Sequence, residues 1–256
     1  MNITILGSGT SQGVPIIGCN CSTCRSSNEK NKRSRASAFI ETNGVKILID
    51  TSIDFRQQIL RAGITDIDAV LYTHHHVDHI FGMDDLRQIN QRLNKFIDIF
   101  GNDTTMNEIS ITFRYAFDEE LIKYKCVPLI NINRIKNEPF TFKGIEIIPI
   151  EVFHGRIKIF GYRIGKFAYI TDCSHIPESE YYKFKNLDAL VLNSLRRAPH
   201  PTHFNLEQAV EKAELFKAKE TFFTHITHDL EHEQVNSELP DNIKLSYDGL
   251  KINIKD

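Results

Sequence analysis

The chain has 256 residues and 41% hydrophobic content, enough to bury a sizeable core in one large domain or two small ones. Its 31 lysines and arginines nearly balance 33 aspartates and glutamates, so net charge offers no polyanion-binding surface and argues against nucleic acid as a partner. The opening Met1-Asn2-Ile3-Thr4-Ile5 has no basic leader and no apolar run approaches the roughly 18 residues of a membrane span, which leads us to expect a cytoplasmic protein with no membrane partner.

No repeat, low-complexity stretch or linker divides the chain, so residues 1–256 read as one domain. A strand over 2–6 runs into Gly7-Ser8-Gly9-Thr10, and a loop follows that carries Cys19, Cys21 and Cys24 and a basic stretch over 25–35. Asn43-Gly44 is a two-residue hairpin signal between strands over 36–42 and 45–50, the second delivering Asp50 at its carboxyl end. A helix is expected over 51–62. The apolar strand 69–72 ends directly at His74-His75-His76-Val77-Asp78-His79, which places the run on a loop where sites gather in layered α/β folds. Helices over 84–95 and 104–115 flank a strand over 96–100. Strands over 140–142, 145–152, 159–164 and 167–171 follow, with His154 and Asp172 each just past a strand end. A strand over 189–192, a helix over 206–216 capped by Asn205 and a strand over 221–224 leading to His225 complete the series. This order fits an α/β arrangement of two sheets with helices outside.

An isolated histidine is more often a core or surface residue than a ligand. Four ligand-type residues in six positions reverse that balance: His74 and His76 can point to one cation while Asp78 and His79 turn towards a second. His75 falls out of phase and is given a supporting structural role. One loop cannot complete a dinuclear centre, and His154, Asp172 and His225 stand at matching positions after short strands. Among the five cysteines, an odd number, Cys19-x-Cys21-x-x-Cys24 suits a metal site better than a disulfide framework. A tetrahedral zinc wants a fourth ligand, for which His228 is better placed than His232. Cys126 and Cys173 read as buried small apolar residues.

The His-x-His-x-Asp-His motif, the later His154-Gly155, the Thr171-Asp172 pair and the final Thr224-His225 together resemble the metallo-β-lactamase superfamily. That resemblance implies an αββα sandwich of two mixed sheets with helices on the outer faces. It also implies two divalent cations, zinc or manganese. His74, His76 and His154 would hold one, Asp78, His79 and His225 the other, and Asp172 would bridge, with Asp50 orienting the histidine loop from behind. Asp78 is at the same time a candidate catalytic residue. A hydroxide formed from a water shared by cations about 3.5–4 Å apart would be the nucleophile. No Gly-x-Ser-x-Gly elbow or phosphate-cradling P-loop offers a rival chemistry.

Gly7-Ser8-Gly9-Thr10-Ser11, Gly13-Val14-Pro15, the cysteine triplet, Gly82-Met83-Asp84-Asp85-Leu86-Arg87 and His225-Ile226-Thr227-His228 are similar to the PhnP-type cyclic phosphodiesterases. The resemblance spans nearly the whole chain and implies a small cyclic phosphodiester substrate resembling phosphoribosyl 1,2-cyclic phosphate, together with a structural zinc. It also places His203 beside the scissile phosphate, where it would bind a phosphoryl oxygen or protonate the leaving alkoxide, with His200 as its competitor. Other readings stay open: a tRNA 3′-processing-type nuclease or another ester hydrolase of the same fold, or a non-catalytic module like the pyrroloquinoline-quinone biosynthesis protein. A homodimer is left open. Arg196-Arg197 reads as a solvated face, Asp84, Asp85 and Arg87 as braces, and His175 as either a pocket or a surface residue.

Overall fold

The computed structural model describes residues 1–255. Six strands form in turn from the first half: β1 (Asn2–Gly7), β2 (Ser37–Thr42), β3 (Val45–Ile49), β4 (Ala69–Leu71), β5 (Ile97–Gly101) and β6 (Ile130–Arg134). Seven more make a second sheet: β7 (Phe140–Phe142), β8 (Ile145–His154), β9 (Ile157–Ile164), β10 (Phe167–Ile170), β11 (Ala189–Asn193), β12 (Glu220–Thr224) and β13 (Ile243–Leu245). The last strand, β14 (Lys251–Asn253), returns to the first sheet and pairs antiparallel with β1.

Both sheets follow one plan. The first runs β14-β1-β2-β3-β4-β5-β6, antiparallel as far as β3 and parallel beyond it. The second runs β7-β8-β9-β10 antiparallel and β10-β11-β12-β13 parallel. Connection type explains the division. Asn43 and Gly44 both take positive φ (49° and 76°) and close a tight hairpin that pairs Thr42 with Val45. Parallel neighbours need longer crossovers, and these carry the helices Phe55–Ala62, Leu86–Leu93, Asp103–Thr112, Leu206–Phe216 and His232–Glu238.

Residue alternation then sorts side chains into three cores. Ile3, Ile5, Ile40 and Ile47 meet Phe160, Tyr169 and Phe222 between the sheets. Leu48, Val70 and Ile99 face Phe55, Leu86 and Met106 on one outer side. Ile150, Ile170 and Leu192 face Ala209, Phe216 and Val235 on the other. The result is the expected α/β sandwich, helices outside two mixed sheets. Among the described residues no helix is long and apolar enough to cross a membrane.

The structure departs from the sequence expectation in several places. The helix expected from residue 51 starts at Phe55, because Thr51 N–H donates to His79 O and Gly82 N–H to Thr51 O, which ties that backbone to the histidine loop. Val77–Ile80 is a helical turn, with His79 and Ile80 N–H both donating to His76 O. His154 is the last residue of β8 and lies inside the strand. Strands β6, β13 and β14 and the helix His232–Glu238 were not foreseen.

Candidate active site

The carboxyl ends of β3, β4, β8, β10 and β12 converge on one cleft between the sheets. Asp50 and His225 each follow a strand directly, Asp172 is separated from the end of β10 by one residue, and all three have positive φ, 58°, 57° and 52°. Such a backbone is unusual for residues other than glycine and marks sites where the surroundings overrule local preference. Turning the chain at the strand end aims each side chain into the cleft.

Asp50 is fully buried and accepts three hydrogen bonds: from Thr73 N–H at 2.8 Å, from the Thr73 hydroxyl at 2.8 Å and from His79 Nδ1 at 2.7 Å. Thr73 Oγ1, having given its proton to Asp50, accepts from His74 Nδ1 at 3.0 Å. His154 Nδ1 donates to Thr202 O at 2.9 Å. These pairings assign the hydrogen of all three rings to Nδ1 and leave Nε2 lone pairs facing inward.

The inward groups form overlapping sets whose ligand atoms lie within 4.8 Å of one another: His74, His76 and His154; Asp78, His79 and His225; and His74, His79 and Asp172. His74 Nε2 lies 3.0 Å from His76 Nδ1. Asp172 stands between the sets, Oδ2 at 3.1 Å from His79 Nε2 and Oδ1 at 3.1 Å from His225 Nε2. His79 Nε2 and both ring nitrogens of His225 are buried without a hydrogen bond, although water-starved imidazole nitrogens are costly to leave so. Converging nitrogens and carboxylates with orphaned buried atoms fit divalent cations. All seven sequence-assigned residues are thus brought together.

Electrostatics agree with that fit. Burial alone would depress the His79 imidazolium, yet the carboxylates of Asp78, Asp172 and Asp50 outweigh it and raise its pKa well above the ordinary value. Burial would raise Asp172, but His225 and His79 hold it well below the carboxylate range. For His74 burial prevails, reinforced by His79, and the neutral ring is strongly favoured. The pocket draws positive charge to its centre.

His203 joins the same cluster. Its Nε2 lies 3.0 Å from Asp172 Oδ1, and its ring packs against His154 and His225 at centroid distances of 4.7 and 4.8 Å. Burial, then the neighbouring His225, lowers its pKa to about 3, which keeps the ring neutral. His200 is half-buried, packs edge-to-face on His203 at a centroid distance of 5.0 Å and lies 3.2 Å from the Thr202 hydroxyl through Nδ1. His75 is half-buried beside His76.

A second cluster lies on the adjoining loop. His228 Nδ1 is 3.2, 3.4 and 3.5 Å from the sulfurs of Cys19, Cys21 and Cys24. Those separations approach the ~3.6 Å ligand–ligand edge of a zinc tetrahedron with bonds of about 2.0–2.3 Å. Cys24 N–H donates to the Cys21 sulfur and draws that thiol down to about 6, whereas burial pushes Cys24 up to about 11. A cation would hold all three as thiolates. Buried Arg33 donates to Thr227 O and Leu230 O, both at 2.7 Å, and so fixes the backbone on either side of His228. His232 packs on Tyr247 outside this set.

Of the minor expectations, only that for Cys126 is overturned. Cys126 is exposed, its segment lying at the surface after the short helix Glu119–Lys123, while Cys173 is buried as expected. Arg197 pairs with Glu238 at the surface, Arg87 with Asp84, and His175 is exposed against Phe153. Thr73, Thr202 and Arg33 were missed, since a threonine or an arginine alone carries no sign that its partner will be a histidine or a distant carbonyl.

Comparison with known proteins places this arrangement. Residues 45–226 match the Beta-lactamase superfamily domain. A crystal structure described as a new diphosphatase from the PhnP family superposes with TM-score 0.92 at 43% identity, covering 98% of this chain and 96% of that one. The Zn2+-bound PqqB of Methylobacterium extorquens superposes with TM-score 0.79 at 21% identity over 99% of this chain and 100% of that one, a likeness of fold alone. An octanoyltransferase of Porphyromonas gingivalis is 39% identical over 98% of this chain, which spans about half (51%) of that protein's length. With the family's domain matched across both sheets and a near-complete relative at 43% identity, the chain belongs to the beta-lactamase superfamily and, within it, to the PhnP family of metallo-β-lactamase-fold hydrolases.

Proposed function

We propose that the chain is a metal-dependent phosphodiesterase acting on a small cyclic phosphodiester resembling phosphoribosyl 1,2-cyclic phosphate. The observation that carries this reading is the pair of three-residue ligand sets joined at Asp172, with His203 on the same carboxylate. His74, His76 and His154 would hold one divalent ion, Asp78, His79 and His225 the other, zinc or manganese, and Cys19, Cys21, Cys24 and His228 a structural zinc. Cations held there would polarise a phosphoryl oxygen and lower the pKa of a bound water.

The chain's own residues supply the rest. His203, neutral and buried, is placed to donate a hydrogen bond from its ring N–H to a phosphoryl oxygen. Asp50 and the carbonyl of Thr202 keep the ligand rings in the tautomers that face the cleft.

A second reading, cleavage of a diphosphate, is favoured by the relative described as a diphosphatase. It uses the same residues on a different phosphoryl group. A long RNA is disfavoured by the balanced charge, and a purely binding role by the presence of all seven candidate ligands. The name octanoyltransferase belongs to a protein about twice as long and supports no acyl chemistry at this cleft.

Protein reconstituted with manganese or zinc should hydrolyse bis-(p-nitrophenyl) phosphate, and His76→Ala or Asp172→Ala should abolish it. Equal activity in the wild type and both variants would overturn the reading. A parallel assay on cyclic phosphates and on diphosphate diesters decides between the two substrate classes.

A further inference from the structure

Thr202 is linked to three histidines at once. Its carbonyl accepts from His154 Nδ1 at 2.9 Å, and its hydroxyl lies 2.9 Å from His203 Nδ1 and 3.2 Å from His200 Nδ1. Its own N–H points to His200 Nδ1 at 3.4 Å. Its methyl group lies close against the turn: a Cβ built onto Gly155, whose φ is +60°, would come 2.8 Å from Thr202 Cγ2. Only a glycine at 155 leaves room for that methyl group on the turn after β8.

A hydroxyl has one proton to give. His203 Nε2 faces Asp172 Oδ1 at 3.0 Å, and an ionised carboxylate only accepts, so that nitrogen bears the hydrogen. In the neutral ring Nδ1 is then the acceptor, and the Thr202 hydroxyl is the donor within reach. Building on the phosphodiesterase reading above, we propose that Thr202 is a positioning residue whose hydroxyl holds His203 with Nε2–H turned into the cleft, ready to donate to a phosphoryl or leaving-group oxygen. Valine would keep the shape but leave His203 Nδ1 without a donor, whereas serine would keep the donor.

The test uses zinc-loaded wild type, Thr202→Val and Thr202→Ser carrying 15N-labelled histidine. Long-range proton–nitrogen correlations report which ring nitrogen of His203 bears hydrogen. Nε2–H is expected in the wild type and the serine variant, with a shift towards Nδ1–H in the valine variant. In kinetics on bis-(p-nitrophenyl) phosphate, kcat should fall about tenfold in Thr202→Val, the scale of one neutral hydrogen bond, with KM within about twofold. Serine should recover most of the loss, and Thr202→Val should cause no further loss in a His203→Ala background. An unchanged His203 tautomer in the valine variant, or losses that simply add, would overturn the assignment. A wild type inactive on the diester would remove the phosphodiesterase reading, and the tautomer measurement would still decide the role of Thr202.

Discussion

Asp50 sits behind the cleft, fully buried, with both oxygens engaged, and yet it is not among the residues that could meet a cation there. Its work is to hold Thr73 and His79. An asparagine in its place would have nearly the same volume, but the amide nitrogen must face either Thr73 N–H or His79 Nδ1–H, so one donor meets another. We expect Asp50→Asn to retain the fold and to weaken active-site zinc by about 10–100-fold, the usual scale for losing an outer partner of a ligating histidine, measured by chelator competition. An affinity equal to wild type would remove Asp50 from this role. The residue scale is also where sequence reading was most and least successful. His74, His76, Asp78 and His79 announce themselves by type and spacing, and His154, Asp172 and His225 by their place at strand ends. Thr73 acts through its N–H and hydroxyl and Thr202 through its carbonyl and hydroxyl, and nothing in residue type distinguishes those threonines from any others in the chain.

At the scale of elements, the starts of β3, β4 and β5 are tied by a charge cluster away from the cleft. Asp68 Oδ1 lies 3.1 Å from Lys95 Nζ and 2.6 Å from Lys143 Nζ, and its other oxygen accepts Lys46 N–H at 2.9 Å. Burial would raise this carboxyl, but the hydrogen bonds from Lys143, Lys46 and Lys95 outweigh it and hold the pKa below the ordinary range. A depressed folded pKa means that the stabilisation is complete above the unfolded carboxylate value of about 3.9 and is lost as pH falls through it towards the folded value. Asp68→Asn should therefore lower Tm by about 2–4 °C at pH 7, a modest figure because the lysines are solvent-screened, and the gap should close on acidification below about pH 4. A gap constant with pH would contradict this. The hairpin at Asn43-Gly44 and the helix Leu206–Phe216, with its Asn205 and Gln208 capping box, were legible because their end signals are local. Strands β13 and β14 were not, for they are three residues each and take their pairing from β12 and β1.

The whole molecule consists of two sheets built to one plan, with the cysteine loop and the turn after β12 laid against each other at one end. Sequence order alone indicated the layers, but not that the last strand would cross back to β1, because that contact spans almost the full chain. Removing one thiolate should empty the Cys19, Cys21, Cys24 and His228 cluster without touching the cleft. Cys24→Ser is expected to bind one equivalent of zinc fewer and to unfold at lower temperature, while keeping measurable hydrolysis, read by metal analysis and calorimetry together. Unchanged zinc content would refute a metal there. The candidate ligand sets in the cleft have a different bearing. Each draws residues from both halves: His74 and His76 follow β4 while His154 ends β8, and Asp78 and His79 face His225 after β12. Each cation would thus be a rivet across the seam, and the layers could not part like a book without shearing one of them. With both cations in place, substrate would have to enter and leave over the rim, past the turn at Gly155 and the stretch around His200, without the seam opening.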